Sequence, residues 1–295
     1  MIRILGTIFA GLLGLAFGSF LNVCLSRWPH GESIVTPGSH CRNCDHTLAW
    51  WENLPLVSWV LLRGRCRACG EAIPWRYPAV EFAVAALWAY FAWHSIPAAA
   101  DLGVPAGVAL FALATCASEM LLSWLLVALA VLDAENLWLP DKVTLPGIAL
   151  GLGWSVMQAQ LAREQVGVSM EPETTWVRAL GNATLAAAIA AALILAIWGI
   201  YRLIRNREGI GLGDAKLMAL IGAWLGLREA LLTFVLGAVI GAAFALVLLT
   251  VPNRNEQVWR LRKLPLGTFL CVGGIVSSLW GQQMIAAYLR WFGLQ

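Results

Sequence analysis

The chain has 295 residues, 60% of them hydrophobic and 13% charged, with a mean hydropathy of +0.73. A soluble domain is about half apolar and a quarter charged, so this composition excludes a soluble enzyme, a disordered chain and a small secreted disulfide scaffold. A formal charge of +3 gives no reason to expect nucleic acid as a partner; the partner that the composition demands is the lipid bilayer.

In chain order, apolar runs of the roughly 20 residues needed to cross a hydrocarbon core lie at about 4–26, 80–97, 104–132, 143–162, 177–203, 215–228, 229–251 and 266–290. The expected fold class is an all-α polytopic membrane protein with eight transmembrane helices. Ser118 and Glu119 interrupt the long third run, and only Arg228 and Glu229 divide the short sixth run from the seventh. The first run is too long for a signal peptide, and no small-residue cleavage pattern precedes Arg27. Sixteen Trp and 28 Gly suit interfacial anchoring and close helix packing. The spacings Gly222-x-x-x-Gly226 and Gly237-x-x-x-Gly241 read as packing positions.

Charge sets the expected orientation. With the N-terminus outside, the cytoplasmic loops take all of the Lys and Arg except Arg3, Arg163, Arg178, Arg228 and Arg290. The positive-inside rule then puts both termini outside the cytoplasm. The one long polar insertion, 27–79, becomes a small cytoplasmic domain between a first helix (1–26) and a membrane domain of seven helices (80–295). The remaining loops are short, except 163–176 and the basic 252–265.

Within 27–79 stand Cys41-Arg-Asn-Cys44 and Cys66-Arg-Ala-Cys69. A two-residue gap lets one tight turn aim two thiolates at one ion, and two such turns complete a tetrahedral four-sulfur shell, the spacing of a zinc ribbon. Four thiolates leave no open position, so the Zn2+ ion is expected to be structural. It substitutes for the core that about fifty residues cannot build. His46 is expected at the surface rather than in the shell, and Cys24, Cys116 and Cys271 as small packing residues.

Acidic residues in or at the edge of a bilayer are functional suspects, and four qualify: Glu81, Glu119, Asp133 and Asp214. Asp133 closes the third apolar run and Asp214 opens the sixth, so the charge-derived topology puts both at the cytoplasmic face. Asp214 ends Gly211-Leu212-Gly213-Asp214, a loop whose glycines admit close approach of another chain. Two aspartates in contact share one proton, so one can activate water while the other polarises an amide carbonyl. Helix-capping roles for Asp214 and Asp141 fit the same pattern. No G-x-S-x-G or H-E-x-x-H occurs.

These segments together resemble the bacterial type IV prepilin peptidases. The resemblance is carried by Gly18-Ser19-Phe20-Leu21-Asn22-Val23, the paired C-x-x-C with Trp51-Glu52-Asn53-Leu54-Pro55 between them, Arg63-Gly64-Arg65-Cys66, Arg76-Tyr77-Pro78-Ala79-Val80-Glu81, Asp133, Pro140-Asp141 and Gly211-Leu212-Gly213-Asp214-Ala215-Lys216. It implies an eight-helix GxGD aspartyl protease of the bacterial cytoplasmic membrane, with Asp133 and Asp214 as the catalytic pair and Gly211 and Gly213 in the active-site loop. Such an enzyme cuts after the glycine that ends the basic leader of type IV prepilins or type II secretion pseudopilins. It then methylates the exposed amine with S-adenosylmethionine. The stretch between Arg27 and Cys41 is shorter than in many members.

Methyl transfer rests on the resemblance alone, because no G-x-G-x-x-G loop marks a cofactor site. Gly64 is the candidate cofactor-binding position, through close backbone approach beside Arg63 and Arg65; a plain turn with solvated charges fits equally. A transporter or assembly scaffold with structural carboxylates stays open as the alternative.

Overall fold

A computed structural model describes residues 1–100, 105–166, 172–205, 211–250 and 264–293. The described residues are helical, with two isolated antiparallel bridges and no strand. The α-helices are α1 (Ile2–Arg27), α2 (Val57–Leu61), α3 (Arg76–Ala100), α4 (Ala106–Asn136), α5 (Asp141–Val166), α6 (Pro172–Arg205), α7 (Leu212–Leu225), α8 (Leu227–Thr250) and α9 (Leu266–Trp291). Most of the basic stretch 252–265, and with it Arg254, Arg260, Arg262 and Lys263, lies outside the described residues, as do Arg207 and the middle of 163–176.

Among the described residues each of the eight expected apolar runs falls on a helix, and six helices are long and apolar enough to cross a membrane: α1, α3, α4, α6, α8 and α9. This is a multi-pass membrane protein. The two others differ for readable reasons. The 14 residues of α7 extend about 21 Å, short of a hydrocarbon core of about 30 Å, and most of its side chains are buried. α5 is long but carries Gln158, Gln160 and Arg163. The sixth run also ends earlier than expected, at Gly226, whose φ of +85° stops the helix. Arg228 and Glu229 therefore sit in the first turn of α8, and Gly226 is a helix break, not a packing position.

The chain divides into two compact units, Met1–Ala128 and Leu129–Gln295, with α4 running through the division. In the first, α1 and α3 pair antiparallel along small residues. A methyl group on Gly14 would stand 2.8 Å from Ala85 Cα, and one on Gly18 2.7 Å from Glu81 Cα. The opposite face of α1 (Ile4, Leu5, Ile8, Phe9, Leu12) is exposed, as a lipid-facing stripe should be. Indole N–H groups tie in α4: Trp88 donates to Met120 O at 3.0 Å and Trp124 to Phe17 O at 3.1 Å. His94 is exposed, its Nδ1 2.9 Å from Tyr90 O.

In the second unit α7 packs on α5 and α6, and α8 on α9. A methyl group on Gly222 would lie 2.8 Å from Ala186 O, and one on Gly237 2.9 Å from a Leu270 side-chain carbon, so both act as packing positions. Trp224 Nε1 donates to Gly147 O at 2.8 Å, joining α7 to α5. Leu129, Leu132, Leu217, Met218, Leu220, Ile221 and Leu270 form a fully buried core.

Candidate active site

Asp133 stands in the last turn of α4. The helix ends just beyond it because Leu137 turns left-handed, φ +50°, and donates its N–H to Asp133 O at 2.9 Å. Pro140 then opens the way into α5. Asp214 occupies the first turn of α7, whose N-cap is Gly211, and its Oδ2 accepts the Gly211 N–H at 3.2 Å. It is therefore the third residue of the helix and not its N-cap. Asp141 is the first residue of α5, and its carboxylate is taken by Lys216 Nζ at 2.5 Å instead of capping a backbone.

The two aspartates are both 6% exposed, and Asp133 is close enough to act electrostatically on the Asp214 carboxyl. Cys271 of α9 feels both. Leu139 is wedged into the same place. A methyl group on Gly213 would stand 3.1 Å from Leu139 Cβ, and one on Gly267 2.9 Å from Asp133 Oδ2 and 3.1 Å from Leu139 Cδ1. Glycine is needed at both positions simply for room. Two carboxyls in mutual reach in a largely water-free site cannot both ionise freely, which is the arrangement that lets one act as base and the other as acid.

Thr268 escaped the sequence reading. Its N–H donates to Asp133 Oδ2 at 2.7 Å, and its hydroxyl lies 3.1 Å from the same oxygen and 3.0 Å from Ala130 O. The available signal was the Gly267-Thr268 pair at the head of an otherwise apolar run. Glu81 and Glu119 stand in the first unit. Glu81 Oε2 accepts the Leu56 N–H at 2.8 Å, a structural contact.

The four cysteines come together. Their sulfurs all lie within 4.8 Å of one another, with Cys41 to Cys69 at 3.8 Å and Cys44 to Cys66 at 3.9 Å. A tetrahedral ion with bonds of about 2.3 Å to sulfur sets its ligands about 3.8 Å apart, so the quartet fits zinc. The two turns are built alike. Cys41 N–H donates to His46 O and Asp45 N–H to Cys41 O, both at 2.9 Å; Cys66 N–H donates to Glu71 O at 2.8 Å and Gly70 N–H to Cys66 O at 2.9 Å. Asp45 and Gly70, each four residues beyond the first cysteine, both have positive φ. His46 is outside the quartet and meets Glu52 Oε2 at 3.2 Å. The Glu52 carboxyl lies below the usual range, first because of the Ala49 N–H and then because of His46 and Arg67. Cys24, Cys116 and Cys271 are buried packing residues.

Gly64 has φ +66° and follows Arg63 at +53°, and a methyl group on it would stand 2.9 Å from Trp59 Cζ2. It shapes a left-handed turn against an indole. Neither Gly64, Arg63 nor Arg65 lines the neighbouring cavity, whereas Trp59, Arg42 and Arg67 do.

Residues 12–95 match the family model described as the bacterial peptidase A24 N-terminal domain, and residues 120–246 that described as the type IV leader peptidase family. A Stutzerimonas stutzeri protein named prepilin leader peptidase/N-methyltransferase is 34% identical over 306 residues, covering 95% of this chain and 92% of its own. Proteins of the same name from Pseudomonas aeruginosa and Burkholderia pseudomallei are 31% and 34% identical, covering 96% and 92% of this chain and 93% and 85% of their own. No solved structure matches. Likeness of this degree along nearly the whole chain settles the relationship, and the chain belongs to the prepilin leader peptidase/N-methyltransferase family.

Proposed function

We propose that this chain cuts the short basic leader from type IV prepilins and type II secretion pseudopilins, using Asp133 and Asp214, and then N-methylates the new N-terminus with S-adenosylmethionine. The observation that carries the peptidase reading is the buried pair itself, two carboxyls from α4 and α7 in electrostatic reach beside Gly213 and Gly267. One aspartate, ionised, takes a proton from the attacking water. The other, protonated, polarises the scissile carbonyl, and the leaving amine collects a proton as the C–N bond breaks. No side-chain nucleophile is required. The relatives are peptidases by name, which leaves the transporter or scaffold alternative without support.

The finer organisation follows the charge pattern and the family. Eight helices cross the bacterial inner membrane with both termini outside, and the aspartates and the 27–79 domain face the cytoplasm, where a basic leader remains when its hydrophobic helix enters the bilayer. Cys41, Cys44, Cys66 and Cys69 hold a structural Zn2+ in a zinc-ribbon-like domain that serves methylation. Gly64 contributes by seating Trp59 against the cavity of that domain.

The test is incubation of the purified full-length chain with a prepilin, followed by mass spectrometry. Loss of the leader, followed by a methyl-sized mass gain when S-adenosylmethionine is supplied, is expected. An intact prepilin under conditions where a relative cuts it overturns the reading.

A further inference from the structure

The first unit contains a cavity of about 530 Å³, within the size range of cofactor sites. Its floor is made by Asn22 of α1 and Glu81 of α3, and its walls include Glu52, Trp59, Arg42 and Arg67. Two buried acceptors in this lining have no hydrogen-bond partner: Asn22 Oδ1 and Glu52 Oε1. Asn22 is 2% exposed, and its Nδ2 is spent on Tyr77 O at 3.0 Å. Glu52 is 5% exposed, and its Oε2 already takes the Ala49 N–H at 2.8 Å, while Arg67 Nη1 stands 3.9 Å from Oε1. Interiors seldom leave such oxygens unpaired, so this lining lacks donors that a ligand can bring. The Trp59 ring, fixed by its N–H on Ile73 O at 3.1 Å, offers a face on which a cation or a flat heterocycle can rest.

Depth narrows the ligand. Glu81 lies five residues into α3, about 7.5 Å along the helix, inside the membrane-crossing stretch Arg76–Ile96. The floor thus sits at the mouth of the membrane span, a depth that the head of a bilayer-embedded substrate helix can reach. The walls belong to the polar cysteine module, a setting for a soluble cofactor.

We infer that this cavity is the methyl-transfer pocket, in which Glu52 Oε1 accepts the α-ammonium of S-adenosylmethionine and Asn22 Oδ1 accepts an N–H of the new N-terminal amine. The inference rests on the N-methyltransferase reading above. The substrate ammonium first loses a proton to water. Its nitrogen lone pair then forms the C–N bond as the methyl–sulfur bond breaks and leaves its electrons on sulfur, giving a methylammonium and a neutral thioether. Asn22 orients that lone pair without competing for the proton.

The experiment uses the zinc-loaded full-length protein. Calorimetric titration with S-adenosylmethionine alone is expected to show affinity falling about tenfold or more in Glu52→Gln and unchanged in Asn22→Leu. Methylation of processed pilin is expected to show a raised KM in Asn22→Leu and partial recovery in Asn22→Asp, which keeps the acceptor but loses the donor to Tyr77 and to the Glu81 carboxyl. Equal loss in both Asn22 variants makes the residue merely structural, and loss of zinc from Glu52→Gln does the same for Glu52; either overturns its assignment. Wild-type affinity in Glu52→Gln overturns the pocket. A wild-type protein that cuts but never methylates overturns the methyltransferase reading instead.

Discussion

Thr268 reaches Asp133 with both its backbone N–H and its hydroxyl, at 2.7 and 3.1 Å from Oδ2, although 135 residues separate them. The N–H is fixed by the start of α9 and survives any side-chain change. The hydroxyl has one proton, shared with Ala130 O at 3.0 Å. Thr268→Val is therefore expected to lower kcat about tenfold, near the low end for a hydrogen bond to a charged group, and Thr268→Ser to restore it. Single-turnover leader cleavage measures both; unaltered turnover in Thr268→Val removes the hydroxyl from the site.

Asp133→Asn and Asp214→Asn are each expected to reduce cleavage by about a thousandfold or more, because an amide neither takes nor shares the proton and acid–base steps of this kind carry factors of about 10² to 10⁴. Both variants should still insert and melt like the wild type, since an amide fills the same volume. Substantial cleavage by either variant rejects the pair.

Asp141 is also an aspartate at the end of a helix, and it should behave differently. Its partner is Lys216 at 2.5 Å, and the two side chains are 59% and 39% exposed. Exposed ion pairs contribute about 1 kcal/mol or less, so Asp141→Asn is expected to cost less than about fivefold in cleavage rate. A loss as deep as that of Asp133→Asn would move Asp141 into the chemistry.

What the sequence made legible follows from where physical constraints are local. The aspartates stood out because carboxylates at the ends of apolar runs are costly, and the cysteines because their spacing matches a metal's geometry. Thr268 stayed hidden because a threonine opening an apolar helix is ordinary until a partner 135 residues away arrives. Leu139 and Gly267 were hidden likewise, since close approach is a property of packing. The division of α7 from α8 was misplaced by two residues, because charge at Arg228 and Glu229 suggested a boundary that backbone conformation at Gly226 actually sets.

Gly222 tests the packing of the second unit. Added side-chain atoms would meet backbone, with Ala186 O at 2.8 Å, Ala186 C at 2.9 Å and Ala187 Cα at 3.0 Å, and a backbone cannot step aside as a side-chain end can. Gly222→Ala is expected to destabilise by about 1–3 kcal/mol through overpacking, seen as a lowered Tm in detergent. Gly153, with open space around the same position, is the control and should be nearly neutral to alanine. Equal melting of the two variants would mean that α6 and α7 do not approach as closely as described.

The cysteine quartet carries the last prediction. One zinc per chain is expected, lost when any of Cys41, Cys44, Cys66 or Cys69 becomes Ser. Without the ion, four thiols in contact cannot all hold negative charge, and the backbone decides which does. The Glu71 N–H pulls the Cys69 thiol down to about 6, helped by the Asn43 side chain. Cys44, against the pull of the His46 N–H, is pushed up to about 12 by burial and by its hydrogen bonds with the other sulfurs. Only thiolates alkylate. At pH 7 the chelated protein should therefore be modified by iodoacetamide first at Cys69 and last at Cys44. The Cys69 rate should hold between pH 8 and about 7, then fall tenfold per unit once the pH drops below about 6, because a lowered value keeps the thiolate populated above it and loses it below. The zinc-loaded protein should resist at all four positions, since each sulfur's lone pair is committed to the ion. Peptide mapping by mass spectrometry reads all of this at once, and equal labelling of the four with and without chelator would show that they hold no metal.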